Sequence, residues 1–455
     1  MKHRLATLRH FAALTLIASA GLAAAPDASA AAAPKYKKLV LSNEFYSEGA
    51  HFGDFNKDGI TDVAAGPFWF EGPDFKRRHS LHTPKVFDLK KHPRIYSDVF
   101  TEFGYDINGD GWEDIFICPH PGTRGYWFEN PKGAETPWKK HFFANEIGNE
   151  SPQWLRMRKT DPHPALLYNR NGRLGFSTFV IKDGAPEWTF HPVSNIDNRR
   201  YERYTHGVGA GDINGDGRID ILENEGWWEH PADEAAPPPW KFHKYKPAET
   251  PAAAAAAAGK AADGKGAVGT DGKTAGSAKS ASKRNRPRFA AAASHMYVLD
   301  VNGDGLNDVV TAWDAHIYGL VWHEQVRSAD GEITWRRHEI LPVIPDLASP
   351  ALRISQMHAV AIADMNGDGL PDIVTGKRFW AHGPDGDKEA SAPAVLYWFE
   401  LKRGKEFAGG ATFIPHKIDD DSGVSTQLTV ADINKDKVPD IIVSSKKGIF
   451  VFLSE

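Results

Sequence analysis

The chain has 455 residues, a formal net charge of −5 and a single cysteine, Cys118. This slightly acidic balance gives no indication of binding to nucleic acid or to an anionic membrane surface, and one cysteine excludes an intramolecular disulfide. The length is enough for one large domain or two of medium size.

The first 30 residues have the pattern of an export signal. Basic residues precede the apolar run Phe11–Leu22, and the small residues Ala28–Ala30 offer a cleavage site. The apolar run is shorter than the roughly 20 residues that a membrane span needs. We therefore expect residues 1–30 to be removed on export. The mature chain, beginning near Ala31, is predicted to be periplasmic or extracellular, without stable insertion in a membrane.

The phrase DINGDGRID concentrates oxygen donors in one tight turn. Carboxylates crowded together repel one another, so the phrase predicts a loop closed around a cation. Side chains of Asp212, Asn214, Asp216 and Asp220, with the carbonyl of Arg218, supply oxygen ligands that suit Ca²⁺. The spacing opens like an EF-hand loop but ends with Asp at position nine, and strand-like runs flank it. We expect a calcium loop within a β-hairpin.

The same loop recurs along the chain, which indicates internal repeats. The intact copies begin at Asp54, Asp106, Asp212, Asp300, Asp364 and Asp432. The gap between the second and third of these is about twice the gap between the first and second. A degenerate copy, MRKTDPHPALLYN, lies halfway, keeps only Asp161 at position five and is expected to bind no calcium. With this copy, which begins at position 157, the chain has seven units.

Each intact loop offers Asp, Asn, Asp and Asp at positions one, three, five and nine as predicted ligands of Ca²⁺, for up to six ions. The predicted ligands are Asp54, Asn56, Asp58, Asp62, Asp106, Asn108, Asp110, Asp114, Asp212, Asn214, Asp216, Asp220, Asp300, Asn302, Asp304, Asp308, Asp364, Asn366, Asp368, Asp372, Asp432, Asn434, Asp436 and Asp440.

The segments after each loop predict four short strands per unit. An apolar run such as DIFIC, an aromatic phrase such as YWFENP or GWWEHP, and a last segment such as WKKHFF follow in order. Seven such units predict an all-β fold, a seven-bladed β-propeller over residues 31–455. The last unit stops at GIFVFLSE, and the N-terminal YKKLVLSNEF is predicted to supply its missing strand and close the ring. Residues 250–288, rich in Ala, Gly and Lys, are predicted to be a disordered insertion.

The repeated D-x-N-x-D-G-x-x-D loops between strands resemble those of the FG-GAP/VCBS repeat propellers, the group that includes the head domain of integrin α chains. The resemblance covers nearly all of the mature chain and implies that the calcium ions are structural. The phrases YWFENP and GWWEHP also resemble secreted bacterial propellers and the propeller part of the fungal aldos-2-ulose dehydratase, which eliminates water from keto-sugars. This second likeness assigns no catalytic residue to a position in this chain.

Candidate functional residues lie at the propeller mouth opposite the calcium loops. The start of strand one and the end of strand two meet there, because the loop joins these strands in a hairpin. Strand starts supply His206, His295 and His358, and His51 stands closer to its own loop. Strand ends supply Glu223, Asp314, His316, Lys377, Arg378, Lys446 and Lys447. The last two lysines are expected to be plain solvated charges.

Two chemical roles fit these residues, beside a structural role for any one histidine. Neutral imidazoles from three blades would hold a transition metal such as Zn²⁺, with Asp314 or Glu223 as a fourth ligand. Alternatively, a histidine, with Tyr297, would remove a proton next to a sugar carbonyl or carboxylate while Lys377 and Arg378 stabilise the enolate. The candidate catalytic residues are His206, His295, His358, Tyr297, Lys377 and Arg378.

The sequence lacks the nucleophile elbow, the zinc-protease helix motif, the phosphate loop and the dinucleotide fingerprint, so hydrolase, protease, kinase and dehydrogenase functions have no support. We expect an exported, calcium-stabilised monomer that binds a carbohydrate at its histidine-rich mouth, with lyase or dehydratase chemistry as a hypothesis. The alternative is a non-catalytic module that binds protein or polysaccharide through its rim. Catalysis requires polar groups of several blades to converge, whereas adhesion does not.

Overall fold

The computed structural model describes residues 33–248 and 287–455. The export signal predicted for residues 1–30 lies outside the described residues, and so does the insertion predicted for residues 250–288, apart from its last two residues. Within the described ranges, no helix has the length and apolar character required to cross a membrane.

Strands make up almost all of the regular structure in the described ranges, with one 3₁₀ turn at Ala408–Gly410. The strands of the first part of the chain are β1 (Tyr36–Ser42), β2 (His51–Gly53), β3 (Asp62–Ala65), β4 (Phe68–Phe70), β5 (Arg78–Ser80), β6 (Thr101–Tyr105), β7 (Asp114–Cys118), β8 (Thr123–Glu129), β9 (Lys139–Leu155), β10 (Ala165–Arg170), β11 (Arg173–Lys182) and β12 (Ala185–Pro192). The remaining strands are β13 (Val208–Gly211), β14 (Asp220–Glu223), β15 (Gly226–Glu229), β16 (Lys241–Lys244), β17 (His295–Leu299), β18 (Asp308–Ala312), β19 (Leu320–Arg327), β20 (Ile333–Leu341), β21 (Val360–Ala363), β22 (Asp372–Gly376), β23 (Leu396–Arg403), β24 (Ala411–Asp419), β25 (Thr429–Ala431), β26 (Asp440–Ser445) and β27 (Gly448–Ser454).

The described strands pair into five sheets that contain one antiparallel group of four strands for each sequence unit. The groups β2–β5 and β21–β24 are separate sheets, and β1 pairs with β27 to complete the sheet of the last unit. The 17-residue strand β9 pairs with β8 through its first half and with β10 through its second half, which joins two groups into a seven-stranded sheet. A parallel pairing of β13 with β17 joins two further groups into an eight-stranded sheet.

The last aspartate of each intact loop fastens the loop to its own sheet. Both side-chain oxygens of Asp62 accept backbone N–H groups, from Phe55 at 3.0 Å and from Gly72 at 2.9 Å. The aspartates that accept the equivalent pair of bonds are Asp114, Asp220, Asp308, Asp372 and Asp440. Because all of these side chains are buried, each loop is an anchored hairpin turn between two strands.

Stacked tryptophan and histidine rings hold the outer strands of five groups together. In each, a tryptophan of the third strand stacks on a histidine of the fourth, with ring centroids 3.9–4.2 Å apart. The histidine Nε2 also lies 2.6–3.1 Å from a glutamate two positions after the tryptophan. The pairs are Trp69–His79, Trp127–His141, Trp227–His243, Trp322–His338 and Trp398–His416. The aromatic phrases of the sequence therefore build the outer half of these five groups.

Buried apolar side chains fill the space between neighbouring groups. Val310 and Trp322 of one group pack in one cluster with Ile373 and Phe399 of the next. Burying a side chain of this size contributes about 1.5–3 kcal/mol to folding. Val360, at the start of β21, belongs to this cluster, and Val208, at the start of β13, packs in another, so both strand starts beside the candidate site are held by buried packing.

Candidate functional site

Three histidines from three consecutive units meet at one place. His206 precedes β13, His316 follows β18, and His358 precedes β21. Their ring centroids lie 4.7 Å apart for His206 and His316, 4.8 Å for His316 and His358, and 5.6 Å for His206 and His358. One nitrogen from each ring lies within 4.8 Å of the other two. We call these three residues the histidine cluster.

The backbone sets the protonation of two of these rings. Nδ1 of His206 lies 2.8 Å from the carbonyl oxygen of Tyr204, and Nδ1 of His358 lies 3.2 Å from the carbonyl oxygen of Gln356. A carbonyl only accepts hydrogen bonds, so Nδ1 carries the proton in both rings. Nε2 of each ring is buried and has no hydrogen-bond partner. The Nε2 lone pair of His358 is therefore available to a ligand, whereas Nε2 of His206 faces Glu150, whose charge favours a proton on that ring.

Asp387 orients the third ring of the cluster. Its Oδ1 lies 3.5 Å from Nδ1 of His316 and 3.0 Å from Nδ1 of His382, whose ring is 4.7 Å from that of His316. Burial raises the pKa of Asp387, but the two histidines outweigh it and hold the pKa below its ordinary value. Asp387 is thus an anionic support behind His316.

A buried ion-pair network surrounds the other side of the cluster. Oε2 of Glu150 lies 3.3 Å from Nε2 of His206 and 3.7 Å from the Arg378 guanidinium, which also pairs with the buried Glu48. Burial raises the pKa of Glu150, but His206 and Arg378 outweigh it and lower the pKa to about 2. Burial likewise lowers the pKa of His206, and the charge of Glu150 more than offsets this effect. Burial and Arg378 lower the pKa of His358 well below its ordinary value.

The structure places His295 outside the histidine cluster, contrary to the sequence prediction. His295 stands one residue nearer its loop than His206 and His358 stand to theirs. In the parallel pairing of β13 with β17, the partner of His295 comes two residues after His206, so the two histidines lie at different levels along their strands. His295 pairs in register with Val208, and burial lowers its pKa to about 4. His316, which follows the second strand of the same unit, occupies the third position instead.

Tyr297 also lies apart from the cluster. Its hydroxyl donates a hydrogen bond to the carbonyl oxygen of Val360 at 2.8 Å, and its ring packs against the apolar core between two units. Burial raises the pKa of this hydroxyl. Tyr297 therefore ties β17 to β21 and does not face the cluster as a proton acceptor. His51, from the first unit, stacks on Phe52 and has its pKa lowered to about 4 by burial.

The two carboxylates predicted as fourth ligands have other partners. Glu223 accepts a 2.7 Å hydrogen bond from the Tyr201 hydroxyl and pairs with Arg200. Oδ1 of Asp314 accepts the backbone N–H of His316 at 3.0 Å. Neither belongs to the sets of described residues whose ligand atoms converge. Glu150 is not in these sets either, but its Oε2 lies 3.3 Å from Nε2 of His206, and Asp387 lies beside His316.

The predicted lysines are more buried than the sequence suggests. Nζ of Lys377 donates to the carbonyl oxygen of Ala390 at 3.1 Å, and burial lowers its pKa to about 8. Lys446, predicted to be a solvated charge, is buried, lies 4.6 Å above the Tyr96 ring and has its pKa lowered to about 8 by burial. Lys447 is partly exposed, with its Nζ 2.7 Å from a carboxylate.

Sequence reasoning missed Glu48 and Glu150, although one signal pointed to the first. Glu48 stands as far before Asp54 as His206 stands before Asp212, so it occupies the same strand position in its own unit. Glu150 belongs to the degenerate unit, in which the alignment of strand starts is lost. Comparing the side chains at this repeat position would have found Glu48 but not Glu150.

A polar pocket of about 310 Å³ adjoins the cluster. Asn149, Thr205 and Gly207 line it, and each is a direct chain neighbour of Glu150 or His206. Its further lining includes Asn169, Arg200, Tyr201, Glu223 and Asn224. The amide of Asn169 is buried, and neither its oxygen nor its nitrogen has a hydrogen-bond partner. The pocket thus offers hydrogen-bond donors and acceptors next to the histidines, together with one positively and one negatively charged side chain, Arg200 and Glu223.

No family model matches the chain, and no curated protein matches it. Solved structures that it resembles include rhamnogalacturonan lyase YesW, at 11% identity and a TM-score of 0.40, over 92% of this chain and 75% of the other. The BBS1N chain solved in complex with ARL6DN matches at 10% identity and a TM-score of 0.44, over 93% and 98% of the two chains. The V. cholerae biofilm matrix protein Bap1 matches at 9% identity and a TM-score of 0.40, over 93% and 91%. At these scores the likenesses carry no argument about activity.

Proposed function

We propose that this protein is an exported, calcium-stabilised, seven-bladed β-propeller that binds a carbohydrate in the polar pocket beside the histidine cluster. The observation that carries the proposal is the unpartnered amide of Asn169, buried in the pocket wall. Leaving a buried amide without partners costs about 1–3 kcal/mol. A polyhydroxylated ligand would satisfy both the amide oxygen and the amide nitrogen, because each hydroxyl both donates and accepts.

Hydrogen bonds between the first and last units support a closed ring. Oε1 of Gln427, just before β25, accepts the backbone N–H groups of Ala50 at 3.2 Å and of Glu102 at 2.8 Å. The hydroxyl of Thr429 donates to the carbonyl oxygen of Ala50 at 2.7 Å. The last unit therefore bonds directly to the inner strands of the first two units. We propose that these contacts complete the propeller.

The donor chemistry of the loops fits calcium. In the first loop, Asp54, Asn56 and Asp58 bring carboxylate and amide oxygens together, and Asp62 anchors the turn from below. Hard oxygen donors of this kind are those that Ca²⁺ takes in proteins. We propose that the intact loops hold structural Ca²⁺ through these side chains, and that the degenerate unit does not.

We further propose elimination chemistry, of the lyase or dehydratase type, on the bound sugar. Removing a proton next to a carbonyl or carboxylate requires a proton acceptor and a positive group near the developing enolate oxygen. The histidine cluster adjoins the pocket through the chain neighbours of His206, and the positive Arg378 lies 3.7 Å from Glu150, so groups of both kinds are present. The competing function is a binding module that holds its carbohydrate without reaction.

Calorimetric titration with a panel of neutral and acidic oligosaccharides tests the proposal. We expect Asn169→Leu to weaken binding by at least about tenfold, equivalent to about 1.4 kcal/mol. The melting temperature of this variant should stay level or rise, because an unpartnered buried amide is removed. The matched control is Asn195→Leu, on an exposed residue.

Two results would separate the possible functions. Binding by the wild type with formation of an unsaturated product would establish an eliminating enzyme, and binding without product would establish a binding module. Equal affinity of the wild type and Asn169→Leu for a bound sugar would place the ligand elsewhere and overturn the proposed pocket.

A further inference from the structure

We infer that His206, His316 and His358 hold one divalent transition-metal ion, with Glu150 as the fourth ligand. The inference rests on side-chain geometry and does not depend on the carbohydrate. It concerns a different place and different donors from the calcium loops, whose side chains offer oxygen only.

The orientation of the rings is that of metal-binding histidines. Such a histidine usually donates its second ring N–H to a carbonyl or carboxylate, which fixes the ring and directs the other nitrogen at the metal. Tyr204 and Gln356 provide the carbonyl oxygens for His206 and His358, and Asp387 lies behind Nδ1 of His316. All three rings therefore have an oxygen on the Nδ1 side.

The free nitrogens point to a common centre. Nε2 of His358 is buried without a hydrogen-bond partner, which is costly unless a ligand meets it, and Nε2 of His206 has Oε2 of Glu150 beside it at 3.3 Å. The ligand atoms of the cluster lie within 4.8 Å of one another. Tetrahedral zinc with bonds of about 2.0–2.1 Å brings its ligands closer than this, so small side-chain rotations would close the site.

Glu150 provides the negative charge that a cation at this position requires. Its Oε2 lies 3.3 Å from Nε2 of His206. The nearby positive charge of Arg378 is already paired with Glu48 as well as Glu150. Asp387 adds a second carboxylate behind His316. The site therefore does not place an uncompensated cation against the metal.

The donor set predicts which metal binds. Three imidazoles and one carboxylate suit Zn²⁺, Co²⁺, Ni²⁺ or Cu²⁺, whereas Ca²⁺ and Mg²⁺ prefer sites built from oxygen. If elimination takes place in the adjoining pocket, such an ion would be the positive group that stabilises the enolate, and the proton acceptor would be a group other than the four ligands. Metal binding itself requires no sugar.

Titration of the purified exported protein with Co²⁺, in buffer that contains excess Ca²⁺, tests the inference. Cobalt bound by histidines has visible absorption that reports its ligands, and the excess calcium saturates the loops. We expect one equivalent of Co²⁺ to bind and Zn²⁺ to displace it. His316→Ala should abolish stoichiometric binding, and the partial exposure of this side chain makes the variant tolerable for the fold.

Further variants identify the ligands and their support. His358→Gln and Glu150→Gln should weaken Co²⁺ binding and change its visible spectrum. Asp387→Asn, which removes the negative charge beside His316 and His382, should weaken it by about 10–100-fold. His92→Ala, on an exposed histidine, is the matched control and should bind like the wild type.

Two outcomes would overturn the inference. One is that the folded wild-type protein binds neither Co²⁺ nor Zn²⁺ and that neither metal changes its melting temperature. The other is one-equivalent binding that survives His316→Ala and His358→Gln. No sugar is present in these titrations, so a negative result here does not contradict the carbohydrate pocket. A negative result in the sugar titrations likewise does not contradict the metal site.

Discussion

Nε2 of His206 faces Oε2 of Glu150 at 3.3 Å, which joins a unit with an intact loop to the degenerate unit before it. The degenerate unit has lost its calcium-loop pattern, yet it contributes the carboxylate that meets the histidine cluster. Its long strand β9 carries this residue and spans two groups of strands. A unit that has lost its loop pattern can therefore still contribute a side chain to the site.

Calcium removal should destabilise the fold reversibly. An ion that binds only the folded state stabilises that state. Once its concentration is well above Kd, the added free energy of unfolding rises with the logarithm of that concentration. We expect a calcium chelator to lower the melting temperature and added Ca²⁺ to restore it. Asp216→Ala should reduce this calcium-dependent shift, whereas Asp161→Ala, in the degenerate unit, should leave it unchanged. A melting temperature that ignores the chelator would contradict calcium occupancy.

Lys437 occupies the position where the other intact loops have glycine, with a φ angle of 77° in the left-handed region. A residue with a β-carbon pays roughly 1–2 kcal/mol in this conformation. Lys437→Gly relieves that strain but makes the unfolded chain more flexible. We expect a net gain of about 0.5–1 kcal/mol in the free energy of unfolding at saturating Ca²⁺. A loss of stability in urea denaturation would show that the lysine side chain makes a compensating contact.

Glu102 should make stability depend on pH. It is fully buried, accepts the backbone N–H of Gly66 at 2.9 Å, and burial raises its pKa from 4.5 to about 8. The folded protein therefore keeps this proton after the unfolded chain has lost it, so stability falls as the pH rises from about 4.5 to about 8.

The variant Glu102→Gln keeps the acceptor and removes the titration. We expect its free energy of unfolding to exceed that of the wild type at pH 8 by on the order of 2–4 kcal/mol, and to differ much less at pH 5. Urea denaturation at both pH values, with Glu44→Gln as an exposed control, measures this difference. Parallel pH profiles of the wild type and Glu102→Gln would contradict the assignment.

The Trp227–His243 stack should contribute to stability. The rings lie 4.1 Å apart, and the histidine Nε2 is 2.6 Å from Glu229. Removing the stacking and the hydrogen bond by His243→Ala should cost about 1–2 kcal/mol. His92→Ala, which removes an exposed ring, should cost much less. Equal melting temperatures of the two variants would show that the stack is incidental.

The repeated loops made the strands and their order predictable, because a hairpin loop fixes the strands on both sides. The same register brought His206 and His358 together. It failed for His295, because the strand pairing places this residue level with Val208, two residues beyond His206. It also failed for Glu150, whose unit has lost the repeat, and for Asn169, because the pocket is built mainly from connections that do not repeat. Periodic positions were predictable and irregular ones were not.

The histidine cluster is proposed to be a functional centre distinct from the repeated loops. The most direct test is anomalous X-ray diffraction from crystals of the purified protein grown with Ca²⁺ and Zn²⁺. We predict a zinc-edge peak between His206, His316 and His358, within bonding distance of Glu150, and calcium at the intact loops. Clear density for the four side chains without a zinc peak between them, at saturating Zn²⁺, would contradict it.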